Sequence, residues 1–142
     1  RNHVDAPIIV DAASGEYYKQ PMFYALAHFA RFVEPGSVRI ASNVMPDSKA
    51  ALLQIVAFDV PVSTDITGNC TVVVVLNQNA TAVQLIIRDL RREGSELKVT
   101  VGGHSIQTLI WSTAATGTNG GSLALTASYL FSILIVLLSL LL

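Results

Sequence analysis

The chain has 142 residues, 51% of them hydrophobic and 13% charged, with a formal net charge of −1. That length supports one domain with a real core. The balanced, scattered charge excludes a basic footprint for nucleic acid and an acidic tail. The single cysteine, Cys70, excludes an internal disulfide, a CxxC pair and a cysteine-rich metal site, and is read as a buried, inert thiol.

Residues 1–19 read as a loop holding one short strand, the β-branched run Pro7-Ile8-Ile9-Val10 between Asp5 and Asp11. A helix is predicted from Pro21, since a first helical residue needs no N–H partner. Met22, Leu26, Phe29 and Val33 fall on one face, widened by Phe23 and Ala30. Arg31 suits the negative end of the helix dipole, and Pro35-Gly36 stops the helix.

Beyond Gly36 the period shortens to that of strands. Residues 38–40, 52–58, 71–76, 83–87, 97–101 and 106–111 are apolar or alternating runs. Turn-forming clusters such as Pro46-Asp47-Ser48, Asn77-Gln78-Asn79 and Gly102-Gly103 separate them. The pattern predicts a mainly β chain built as an antiparallel sandwich. Val72, Val73, Val74 and Val75 are apolar on both faces, so that strand is placed centrally.

Residues 114–122 are small and of low complexity and read as a linker. Residues 123–142 carry no charge and are long enough to span a bilayer. No basic residue follows them, so a glycosylphosphatidylinositol (GPI) attachment signal fits as well. In that reading Asn119, Gly120 or Gly117 is the lipid-attachment residue, 122–129 the spacer and 130–142 a removed tail. An ordinary membrane helix and a sequence artefact are the other readings.

Two tripeptides fit the N-glycosylation pattern, Asn69-Cys70-Thr71 and Asn79-Ala80-Thr81, with Asn79 in the better turn context. His3, His28 and His104 have no ligand partner at helical or strand spacing, so no metal site and no cofactor is expected, and His28 reads as a helix residue packed at an edge. No serine elbow, phosphate loop or acid-and-nucleophile pair of carboxylates is recognisable.

Three blocks add a resemblance. Residues 1–11 (RNHVDAPIIVD), the run Tyr18-Lys19-Gln20-Pro21-Met22-Phe23-Tyr24 with His28-Phe29, and the later runs TVVVVLN and SIQTLIW resemble the C-terminal end of the animal glucosylceramidases of glycoside hydrolase family 30. The resemblance covers the chain up to about Trp111. It implies that residues 1–36 are the last loop and helix of a (β/α)8 catalytic barrel and that 37–113 are a β-sandwich beside it. It implies retaining hydrolysis of the β-glucosyl bond of glucosylceramide, by two glutamates about 5 Å apart on earlier barrel strands. Both lie outside this sequence, so the chain alone is expected to be inactive. Arg1, Asn2 and His3 are placed at the substrate entrance, with His3 where the family pattern has an aromatic residue. The implied partners are glucosylceramide, membrane lipids and an activator protein of the saposin type, with no nucleic acid. The implied location is the secretory pathway, in the lysosome or on an outer membrane surface. The alternative is a membrane-anchored sandwich that binds without hydrolysis, or a relative acting on another β-glycan.

Overall fold

A computed structural model of the chain describes residues 6–45, 52–61, 68–91, 96–112 and 129–134. The described residues are mainly β. The strands are β1 (Ile8–Asp11), β2 (Glu16–Lys19), β3 (Val38–Ile40), β4 (Leu53–Val60), β5 (Cys70–Asn77), β6 (Val83–Arg88), β7 (Glu96–Val101), β8 (Ser105–Ser112) and β9 (Tyr129–Leu134), and one helix, α1 (Pro21–Phe32), follows β2. All strand pairs are antiparallel.

The central element is a five-stranded sheet in the order β3-β4-β5-β8-β9. The valine run of β5 lies in its middle, hydrogen-bonded along its whole length to β4 and β8. Both faces of β5 are covered, which is why its residues need no alternation. On one face, Ile55, Ala57, Val73, Val75, Leu109 and Trp111 meet the inward side chains of the β6–β7 hairpin, among them Val83, Leu85, Val99 and Val101. On the other face, Val60, Cys70, Val72, Val74, Ile106 and Ile110 pack against Phe32 and Val33 from the end of α1. Three layers result: hairpin, sheet and helix. Each buried valine or leucine contributes about 1.5–3 kcal/mol. Cys70 is wholly buried within the helix-side core.

Two sequence expectations are corrected. The first nineteen residues hold a second strand: β2 pairs with β1, and Asp11↔Glu16 closes the hairpin. The turn uses Gly15 in the left-handed region (φ 73°), where its amide donates to the Asp11 carbonyl at 2.9 Å. The helix turns a stripe other than its Met22–Leu26 face to the sheet. Its deeply buried residues are His28 and Phe32, whereas Met22, Leu26 and Phe29 are 43%, 53% and 39% exposed. His28 is therefore at the centre of the helix–sheet contact, not at its edge. The start of α1 follows expectation, with Pro21 in the first turn and Arg31 in the last.

The apolar C-terminal stretch also contributes structure. Residues 129–134 form β9, in register with β8 from Ser105↔Leu134 to Ile110↔Tyr129. The remainder of 113–142 lies outside the described residues, as do the lipid-attachment candidates Gly117, Asn119 and Gly120. Among the described residues no helix is long and apolar enough to cross a membrane.

Candidate functional site

The polar side chains that the fold gathers lie at three places, each joining one layer to another. The first is Asn77, at the end of β5 and wholly buried. Its Nδ2 donates to the carbonyls of Thr81, Val101 and Gly102 at 3.0, 3.2 and 2.8 Å. Its Oδ1 accepts from the backbone N–H and the side-chain Nδ2 of Asn79 at 3.0 and 2.8 Å. One amide thus satisfies the backbone where the β6–β7 hairpin leaves and rejoins the sheet. Beside it, Gly103 approaches the Ala80 carbonyl so closely that a Cβ would stand 2.2 Å from the oxygen. The sequence marks Asn77 only as a turn residue, and nothing local distinguishes it from Asn79.

The second place is the opposite end of the hairpin. Asp89 accepts from the Trp111 indole Nε1 at 3.2 Å and from the Arg91 backbone N–H at 3.1 Å. It also pairs with the Arg91 guanidinium at 3.2 Å, and Arg91 reaches on to Thr71 Oγ1 at 2.6 Å and to Asp59 at 3.4 Å. Burial pushes the Asp89 carboxyl up, but the hydrogen bonds from Arg91 and Trp111 and the Arg91 charge outweigh it and hold it below the usual range. The bond to Asp89 in turn holds the Arg91 guanidinium above its ordinary value. An acid for glycosidic cleavage needs the reverse, a carboxyl whose proton is held to higher pH. Asp59 and Asp89 therefore form a clamp around a cation, unlike an acid and nucleophile flanking a sugar.

The third place is the helix–sheet junction, where His28 Nδ1 lies 2.7 Å from Thr108 Oγ1 with both residues buried. Desolvation holds the imidazole below its ordinary pKa.

Three further carboxylates, Asp11, Glu16 and Glu96, are occupied at the surface. Asp11 caps the first turn, accepting from the Ala13 N–H at 3.0 Å, and the hydrogen bond from the Ser14 side chain is the main cause that lowers its pKa. Glu16 accepts from the Tyr18 hydroxyl, which raises the phenol's pKa, and Glu96 pairs with Arg88 at 2.6 Å. Among the described residues no group of three histidine, cysteine, aspartate or glutamate side chains is placed to hold a metal ion.

Of the residues singled out from sequence, Arg1, Asn2 and His3 lie outside the described residues. Asn69 precedes β5 and is exposed. Asn79 is half-buried, and its Nδ2 is the donor to Asn77 Oδ1.

Exposed apolar side chains collect in the first part of the chain. Ile8, Ile9, Val10, Tyr17 and Tyr18 of the β1–β2 hairpin are between 41% and 70% exposed, and Met22 and Leu26 of α1 are 43% and 53% exposed. Large apolar side chains exposed in this number mark a segment that contacts something else.

Comparison with known proteins agrees with this division. Residues 1–33 match the model of the glycosyl hydrolase family 30 TIM-barrel domain, and residues 36–109 match that of the family's beta sandwich domain. The lysosomal acid glucosylceramidase of Mus musculus is 40% identical over 111 residues, covering 78% of this chain and 19% of that protein. Among solved structures, SrfJ from Salmonella typhimurium superposes with a TM-score of 0.61 at 27% identity, over 78% of this chain and 22% of that one. The endo-beta1,6-glucanase BT3312 superposes with a TM-score of 0.58 at 22% identity, over 75% of this chain and 21% of that one, a likeness of fold. The chain spans about a fifth of the length of the curated relatives it matches.

Proposed function

Because the chain belongs to glycosyl hydrolase family 30, we propose that it is the C-terminal segment of a retaining β-glucosidase that cleaves glucosylceramide to glucose and ceramide. Residues 1–36 would supply the last loop and helix of the catalytic barrel, and 37–113 the sandwich that braces it. The observation that carries this reading is the two-faced helix: its His28–Phe32 stripe is buried on the sandwich, while Met22, Leu26 and the apolar hairpin before it stay exposed. A barrel helix seated on a sandwich needs both faces apolar, one for each neighbour. The loop at 1–19 leads into that helix, and loops entering barrel helices form the face where such enzymes act. Arg1, Asn2 and His3 are accordingly proposed to border the substrate entrance.

The two catalytic glutamates are assigned to barrel strands that precede this segment. In retaining chemistry one protonates the leaving oxygen and the other attacks the anomeric carbon, at a separation of about 5 Å. Among the described residues, the two carboxylates that the fold brings together are joined through Arg91 and do not fit those roles. Reading the coding sequence upstream of Arg1 tests the proposal. Two strand-end glutamates within a barrel would support it, and replacement of either would leave a tethered sandwich that binds without hydrolysis.

The mouse relative's name supports a lysosomal destination for this chain. The sequons at Asn69 and Asn79 are proposed glycan sites within the secretory pathway. Membrane lipids and a saposin-type activator are proposed partners on the strength of the family resemblance and of a glycolipid substrate.

For residues 123–142, composition favours a GPI signal, with attachment at Asn119, Gly120 or Gly117, or a membrane helix. The β8–β9 register favours a retained strand. Cleavage at any of the three attachment residues would remove β9, so the mass of the mature C-terminal peptide separates these readings.

A further inference from the structure

The fold holds both N-glycosylation tripeptides in fixed conformations. Asn79-Ala80-Thr81 lies in the turn between β5 and β6, with Asn79 half-buried and Ala80 and Thr81 exposed. The Asn79 N–H donates to Asn77 Oδ1 at 3.0 Å, and Asn79 Nδ2, the atom that would carry a glycan, donates to the same oxygen at 2.8 Å. The Asn79 carbonyl accepts from the His104 N–H at 2.8 Å, and the Thr81 carbonyl accepts from Asn77 Nδ2 at 3.0 Å. Gly103 backs the Ala80 carbonyl with no room for a side chain between them. Asn77, wholly buried, thus grips the tripeptide at both ends.

Asn69-Cys70-Thr71 is closed in another way. Asn69 is exposed, but Cys70 and Thr71 are the first residues of β5. Cys70 pairs with Val60 and Ser112, and Thr71 with Asp59 and Trp111. Thr71 is 1% exposed, and its Oγ1 accepts from the Arg91 guanidinium at 2.6 Å.

Glycan transfer needs what these contacts withhold. The oligosaccharide arrives on a lipid diphosphate. Its anomeric C–O bond breaks, a C–N bond to the asparagine Nδ2 forms, Nδ2 gives up one proton, and the lipid diphosphate leaves. An amide nitrogen shares its lone pair with the carbonyl and is a poor nucleophile. The transferase must therefore take hold of the amide itself, and the N-x-[ST] pattern shows that it reads the hydroxyl residue too. In the folded chain the Asn79 amide is committed to Asn77, and the Thr71 hydroxyl is buried in the central sheet. Nδ2 carries two hydrogens and a glycan replaces only one, so a chain glycosylated beforehand can still close the Asn77 tie.

We propose that Asn69 and Asn79 accept glycans only before the sandwich closes, so that folding itself shuts both sites, with Asn77 as the residue that shuts Asn79. The proposal rests on the secretory-pathway reading above and adds when modification takes place. Transfer to native Asn79 requires an opening that breaks four hydrogen bonds. With each bond worth about fivefold in population, the native chain is expected to react at least about a hundredfold more slowly than an unstructured acceptor.

The test is transfer by purified oligosaccharyltransferase, from a lipid diphosphate oligosaccharide, to the unglycosylated full-length protein and to peptides of residues 65–73 and 76–84. Glycopeptide mass spectrometry reads each site. Both peptides should be modified while the native protein is not. Asn77→Ala should raise the native rate at Asn79 by at least about tenfold, whereas Asp89→Asn, at the opposite end of the hairpin, should leave Asn79 unchanged. A native rate within about tenfold of the peptide's, a peptide left unmodified, or an Asn77→Ala protein no faster at Asn79 than wild type would overturn the proposal. Should Asn77→Ala fail to fold, the native-to-peptide ratio decides alone. The assay reads purified chains and no hydrolysis, so its failure is separate from failure of the glucosidase or secretory readings.

Discussion

Replacing Asn77 by aspartate changes one nitrogen to oxygen and tests whether the hairpin is tied to the sheet as described. In the native structure Nδ2 supplies two hydrogens to three carbonyl oxygens, those of Thr81, Val101 and Gly102, at 2.8–3.2 Å. A carboxylate there removes both donors and turns a charged acceptor toward the three carbonyls. Each lost hydrogen bond costs about 1 kcal/mol, and each carbonyl left buried and unsatisfied costs about 1–3 kcal/mol more before relaxation. A loss of about 3–4 kcal/mol is expected at neutral pH, equal to two to three powers of ten in local opening.

The penalty should shrink in acid. Protonated aspartic acid regains one O–H donor, so the folded-state pKa of the new carboxyl lies above the unfolded value of about 3.9. The folded state then binds more protons than the unfolded state, and the variant's stability falls as pH rises through the interval between the two pKa values. Hydrogen exchange at the β5 and β8 amides of the full-length protein, at pH 7 and pH 4, measures both effects. The reasoning is refuted if Asn77→Asp stays within a factor of ten of wild type at pH 7, or loses more protection at pH 4 than at pH 7.

Gly103→Ala places a methyl group 2.2 Å from the Ala80 carbonyl oxygen, against backbone that cannot step aside cheaply. It is expected to lower stability by about 2–3 kcal/mol in chemical denaturation, whereas Gly15→Ala, with open space around it, should lose only its turn preference. Asp89, whose folded pKa lies below the unfolded value, contributes stability above about pH 3.9 that is lost as pH falls through the folded value. Denaturation midpoints should therefore hold steady down to about pH 5 and drop below pH 4, with a shallower drop in Asp89→Asn. Enzymatic deglycosylation in heavy-oxygen water followed by peptide mapping should label Asn69 or Asn79, and labelling of neither would remove both as glycan sites.

Much of the fold is legible in the residues because the determinants are local. The uninterrupted valines of β5 announce a strand covered on both sides, and the alternation of β6 and β7 announces a hairpin with one wet face, where Ile86 is 56% exposed. Other elements depend on distant partners. β2 (EYYK) has no apolar alternation and becomes a strand through pairing with β1. β9 lies in a uniformly apolar run, whose lack of period cannot separate strand from helix, and its pairing edge on β8 comes from earlier in the chain.

The helix shows the same division. Spacing identifies Met22, Leu26 and Phe29 as an apolar face, but spacing does not say what covers it. The sheet takes the adjoining stripe with His28, a polar residue that meets Thr108 there. The substrate and the catalytic glutamates of the proposed function rest on the family resemblance, not on residues of this chain.

The central claim, that this segment completes a retaining glucosidase whose catalytic residues lie elsewhere, is tested most directly by hydrolysis of glucosylceramide by the full-length protein, with the first-formed glucose anomer followed by NMR. The account predicts hydrolysis with the β-anomer appearing first, and no activity from the present chain alone. Absence of hydrolysis, or the α-anomer appearing first, would contradict it.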